Sequence, residues 1–251
     1  VMGMQLYLAG ESLLKWMVWD VMRGIDLLLE RKDVNPEQII LLGAVAAGGE
    51  PAAVTAALDS RVAAVAPFGF NEVNPGWGEW ESTRALRRSI VDQFFPWLIG
   101  ASVAPRHFIY AKEMGWETYR HAGLARIQNV FALYGVPDNL DRAYGFGTFP
   151  GPGECANIGP SQRATMYPEL KRWFGIPIPV SEPDDRRPEQ ELAALNSAAA
   201  SRLEMRAIHD LARQAAEAKL NGTRGEMQAL QPEARRKWLK EKLAGKLGDI
   251  E

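Results

Sequence analysis

Apolar residues recur at helical spacing from Leu13 through Met17, Val21, Ile25 and Leu28, with Lys15, Asp20 and Arg23 between them. That spacing predicts an amphipathic helix over residues 12–31, with Ser12 placed to cap it. After a turn at DVNPEQ the pattern changes to an unbroken apolar run over residues 39–45. Such a run is expected of a parallel strand covered on both faces. Gly48 and Gly49 follow, and Glu50 and Pro51 open a helix to about Leu58, with proline near the first turn, where its missing N–H costs little. LDSR closes that helix, and residues 62–68 read as a second buried strand.

Residues 69–103 form a long excursion, with Gly and Trp concentrated in FNEVNPGWGEWEST and a helical stretch at 84–99. A third strand falls within 104–111, and a second amphipathic helix within 117–134. GFGTFPGPGECANIGP is a loop by its Gly and Pro content, and residues 161–174 form a helix that ends at RWFG. At PIPVSEPDDRRPEQE the composition shifts to that of a linker, and aromatics nearly vanish beyond it. Residues 188–220 are Ala-rich and helical, NGTRG breaks them, and a helix over 232–247 carries Leu239, Leu243 and Leu247 on one face among basic residues. That last pattern predicts a solvated helix packed along one stripe. Alternating strands and helices predict an α/β fold with a parallel sheet. Three strands make a poor sheet with open edges. The opening VMGMQLYLAG enters mid-pattern, so further strands are expected upstream.

Composition narrows the partners. The 251 residues hold 31 acidic and 29 basic side chains, a net charge of -2, without the basic bias of nucleic-acid or anionic-membrane binding. No run is long and apolar enough to read as a transmembrane helix, and none reads as a signal peptide. The single cysteine, Cys155, excludes an internal disulfide framework and a thiolate-rich zinc site. The carboxylates are scattered and no cluster has ligand spacing, so neither metal nor cofactor is expected.

LLGAVAAGGEPAAVTAALD combines a strand, a glycine-bearing turn and a helix. That is the backbone pattern of a nucleophile elbow, G-x-S-x-G, where small residues serve a strained, closely packed turn. The serine of such a turn needs a base, and the base needs an acid to orient it. The elbow is preceded by VWDVMRGIDLL and followed by AALDSRVAAVAPF, ASVAPRHFIYAKE and YPELKRWFGIPIP. In that order the segments resemble the second half of bacterial α/β-hydrolases of the acetyl-xylan-esterase or glucuronoyl-esterase type, over residues 5–180. The resemblance implies a partial α/β-hydrolase fold in residues 1–180, with residues 181–251 as linker and helical extension. It also implies carbohydrate ester chemistry, an extracytoplasmic location, and a second chain or upstream segment that completes the sheet.

The resemblance shows what is missing as well. Read as Gly43-x-Val45-x-Ala47, the elbow has valine at the nucleophile position; read as Ala44-x-Ala46-x-Gly48, it has alanine. The second register keeps the distance to AALD and is preferred, placing Ala46 where the serine belongs. Removing the serine of such a triad costs on the order of 10⁶ in turnover. Glu113 or Glu117 stands where the family has its acid, although each reads equally well as a solvated loop glutamate. GECANIG occupies the histidine loop and has no histidine; Glu154 and Cys155 sit there instead. His107, His121 and His209 match no family base and read as structural or surface residues. As a nucleophile, Cys155 would need a depressed pKa; an inert thiol is the plainer reading. Trp77, Trp80 and Trp116, with Trp97, fall in segments that border the site, where rings stack on sugar faces or simply pack. The expected protein is a carbohydrate-esterase relative with a degenerate site. The alternatives are an active ester hydrolase, whose groups come from a partner chain or an unorthodox nucleophile, and a scaffold that oligomerises through its C-terminal helices.

Overall fold

The structure, a computed structural model, describes residues 2–70, 94–112, 122–144, 158–182, 187–193, 195 and 200–247. They fall into two compact units, Ser12–Ala193, and Val1–Glu11 together with Ala194–Glu251.

The larger unit is built on a parallel sheet of β1 (Ile39–Gly43), β2 (Val62–Pro67), β3 (His107–Lys112) and β4 (Leu140–Tyr144), in spatial order β1-β2-β3-β4 among the described residues. Leu41 pairs with Val65, Val65 with Phe108, and Lys112 with Tyr144. Two helical layers cover it. α2 (Leu13–Leu29), α3 (Val45–Leu58), α4 (Trp97–Ala101) and α5 (Ala122–Leu133) lie on one face, and α6 (Pro160–Phe174) lies on the other. β3 shows the two-residue alternation of a strand buried on both sides. Phe108 and Tyr110 enter the core with α2, α3 and α5, while Ile109 and Ala111 enter the core with Met166 and Leu170 of α6.

α6 ends at Gly175, whose φ of 70° suits a residue without a Cβ. Beyond it, Glu182 is held against α6 by Arg163 and by the Tyr167 hydroxyl, which donates at 3.0 Å. The predicted linker composition therefore begins as a strap fastened to α6. A short helix, α7 (Glu189–Leu192), follows.

In the smaller unit, α1 (Met2–Leu8) packs on α8 (Ile208–Ala229), and α9 (Pro232–Leu247) follows. The Lys219 ammonium donates to the Ala9 carbonyl and to the Glu11 carboxylate, both at 2.9 Å.

Several expectations from the sequence are corrected. α3 begins at Val45, five residues before Glu50, so Pro51 lies inside the helix. Burial of Ala52, Ala53 and Ala56 against the sheet outweighs the one backbone bond the proline removes. β4 was not expected. NGTRG, residues 221–225, does not break the tail helix but runs through α8. Gly222 and Gly225 meet nothing that a side chain would touch, and a 22-residue helix tolerates two glycines at about 1 kcal/mol each. Leu239, Leu243 and Leu247 are 47%, 59% and 61% exposed rather than packed along a stripe. No helix among the described residues is long and apolar enough to cross a membrane.

Candidate functional site

The turn after β1 keeps the tight packing of an elbow. β1 ends at Gly43, Ala44 is extended (φ −106°, ψ 136°), and α3 starts at Val45. The Phe68 N–H donates to the Gly43 carbonyl at 2.8 Å, and the Gly48 N–H to the Ala44 carbonyl at 3.0 Å. A Cβ on Gly43 would lie 2.1 Å from the Gly48 carbonyl oxygen, and one on Gly49 would lie 2.3 Å from the Phe68 carbonyl oxygen. Backbone abuts backbone at both places, so both demand glycine. Ala46 falls in the first turn of α3. Residues 44–49, AVAAGG, contain no hydroxyl, thiol, imidazole or carboxylate.

All four strands are parallel, so their carboxyl ends share one edge of the sheet, the edge where open α/β sheets place ligands. The elbow leaves β1 there. In sequence, the segments bearing Trp77 and Trp80, Glu113, Trp116 and Glu117, and Glu154 and Cys155 come after β2, β3 and β4 respectively. Those seven residues, and His121, lie outside the described residues.

The described aromatic and imidazole candidates sit elsewhere. Trp97 packs against the core on the α2/α3 face, with Arg126 over its ring at 5.5 Å. His209 is exposed, 3.7 Å from Asp210 in the tail. His107 opens β3 at the opposite edge from the elbow, with its ring stacked on Trp173 at 4.5 Å and edge-on to Phe174 at 5.2 Å. Its role is packing, as expected. Burial of the ring, and then the neighbouring Arg172 charge, lower its pKa below the ordinary histidine value. The folded state therefore takes up this proton less readily than the unfolded chain, whose histidine titrates near about 6.5. Stability is unaffected well above that pH and falls as pH drops through the unfolded pKa toward the folded one. Urea midpoints are expected to decline between about pH 8 and pH 5.5 in wild type, and to decline less in His107→Phe. Parallel pH profiles would refute this role for the ring.

One residue escaped sequence reasoning. Glu50 is completely buried in α3, one turn beyond Ala46. The signal was present, since Glu50 is the sole charge in the Ala- and Gly-rich stretch VAAGGEPAAVTAAL. A carboxylate is kept that deep only where polar partners compensate its desolvation. Among the described residues no three His, Cys, Asp or Glu side chains converge as metal ligands would.

The motifs that carry the family resemblance have a structural purpose. Arg106, from APR, donates to the carbonyls of Ala56 at 2.6 Å, Val62 at 2.7 Å and Asp59 at 3.0 Å. It closes the C-terminal end of α3, where helix carbonyls lack partners. Asp59, from AALD-x-R, accepts a forked pair of bonds from Arg61 (2.8 and 2.5 Å), and Arg61 reaches on to Asp26 of α2 at 2.6 Å. The Arg61 guanidinium holds the Asp59 carboxyl below its ordinary range. This clamp lies at the amino end of β2, across the sheet from the elbow.

Among solved structures, the methylesterase BT1017 superposes on 82% of this chain with a TM-score of 0.56 at 20% identity. In fold, the chain is similar to part of that methylesterase. It covers 47% of the methylesterase, about half its length. A candidate acetyl xylan esterase from Bacteroides fragilis aligns over 59% of this chain and 40% of its own, with a TM-score of 0.45 at 22% identity. No family model and no curated protein matches the sequence.

Proposed function

We propose that this α/β-hydrolase portion is a catalytically silent relative of carbohydrate esterases, which holds a sugar ester at the elbow edge without cleaving it and works as part of a larger assembly. The observation that supports this reading is the contrast within the elbow. Its backbone contacts are kept to within a glycine hydrogen at Gly43 and Gly49, whereas residues 44–49 offer no nucleophilic atom. Loss at the nucleophile position together with loss of histidine from the GECANIG loop points to relaxed catalytic demand. Titration calorimetry with acetylated xylo-oligosaccharides is expected to register binding, with acetate released at the buffer rate. Acetate release that scales with protein concentration would refute silence, and release abolished by Cys155→Ala would assign the chemistry to that thiol.

A further inference from the structure

α6 runs against the strands. Near its end the Trp173 indole N–H donates to the Asp138 carbonyl at 3.1 Å, just ahead of β4, so its first turns lie toward the carboxyl ends of the strands, the elbow edge. Gly175 then stops the helix, and the chain reverses and returns along it. Glu182 reaches Arg163 and Tyr167, the tyrosine hydroxyl lying 3.0 and 3.1 Å from its two carboxylate oxygens. The same Arg163 donates to the Ile158 carbonyl at 2.7 Å, so one guanidinium fastens both the approach to α6 and the strap that leaves it. From Arg163 to Gly175 is about 18 Å of helix, and seven extended residues reach about 23–25 Å. The strap over residues 176–182 therefore spans most of α6 with little slack.

Apolar burial does not hold this strap in place. Ile176, Ile178 and Val180 are 37%, 46% and 107% exposed. Pro177 and Pro179 have no N–H to donate. Among the described residues, none from 177 to 181 makes a backbone hydrogen bond to another segment. Past Gly175 the anchor is Glu182. α6 itself is held through a different face, by Met166 and Leu170 packed with Ile109 and Ala111 of β3. Loss of the Glu182 contact would thus expose no core and leave the helix seated. A carboxylate that meets a guanidinium and a hydroxyl together makes strong charge-assisted bonds. The Arg163 and Glu182 side chains are nevertheless 34% and 26% exposed, wet enough for dissolved ions to compete with the pair.

We infer that Arg163, Tyr167 and Glu182 form a releasable latch that sets where the linker leaves the sheet unit: beside the first turns of α6 when closed, and at Gly175, about 18 Å away along the helix, when open. The inference holds whether or not the elbow is catalytically silent. It is tested on the full 251-residue chain carrying Cys155→Ala, with nitroxide labels on Gln128→Cys of α5 and Ser181→Cys of the strap, both exposed positions. Double electron–electron resonance reads the distance between the labels. At low ionic strength one narrow distribution is expected. Glu182→Ala is expected to widen it about twofold or more, while the thermal midpoint stays within about 2 °C because the core contacts of α6 remain. In about 1 M salt, where the screening length is about 3 Å, the chain that keeps Glu182 is expected to widen likewise. A distribution already broad at low ionic strength, or unchanged by Glu182→Ala, overturns the latch. One that stays narrow in salt, or widens in Glu182→Ala only with a larger fall in the midpoint, makes the contact a fixed part of the fold and overturns its release.

Discussion

Replacing Arg106 with methionine is expected to lower the stability of the sheet unit by about 2–4 kcal/mol, since hydrogen bonds to a charged donor contribute about 1.5–3 kcal/mol and orphaned carbonyls add to the loss. One guanidinium satisfies three carbonyls drawn from the end of α3 and the start of β2, at 2.6, 2.7 and 3.0 Å. Methionine fills much of the same volume but donates nothing. Arg106→Lys is expected to recover only part of the loss, because an ammonium cannot reproduce the planar fork. For a unit of this size the methionine variant should melt about 5–15 °C lower. A melting temperature within a degree of wild type would show that water replaces the guanidinium freely and that the clamp is incidental. The same clamp has an acid limit. Asp59 has a folded pKa below its unfolded one, so its contribution is present above the unfolded value and is lost as pH falls through the folded one.

Gly49→Ala is the second large effect. The added methyl would lie 2.3 Å from a backbone oxygen, that of Phe68, which no rotamer change can move aside. Either α3 must lift from the sheet or the end of β2 must shift, and overpacking of this kind costs about 1–3 kcal/mol or more. The same exchange at Gly24 of α2 provides the contrast. A Cβ there meets nothing within 4 Å, so Gly24→Ala should stabilise the helix by about 0.5–1 kcal/mol. Chemical denaturation of the two variants reads both signs at once. A Gly49→Ala protein as stable as wild type would mean that the elbow is not the tight junction described above, and the kinship of this turn with a nucleophile elbow would lose its physical basis.

The alternation of helices and parallel strands was legible because the periodicity of each segment reports its burial. α2, β1, β2 and α6 follow that pattern closely. β4 was not legible, because Asp141 and Arg142 place two charges in five residues of an outer strand, where Asp141 meets Arg172 of α6 at 3.4 Å instead of an apolar layer. The start of α3 was hidden by Pro51, which reads as a helix opener, while alanines packed on the sheet carry the helix through it. The likeness in AALD-x-R and APR was visible, but those residues fasten α3 and say nothing of chemistry. At the site, sequence reveals the absence of a nucleophile at residues 44–49. Glu50 stands out in sequence as the sole charge of VAAGGEPAAVTAAL, but a glutamate next to a proline also reads as an exposed helix opener, and its burial appears only in the structure.

The central claim is an elbow kept as a scaffold after both its nucleophile and its base were lost. Turnover of p-nitrophenyl acetate by wild-type and Ala46→Ser proteins, assayed side by side, tests it most directly. Both are expected to remain at the buffer rate, because a serine without a base lacks the group that would accept its proton. If Ala46→Ser alone raised turnover about 100-fold or more, a base and an oxyanion site would still be in place, and the account of a doubly degraded site would be contradicted.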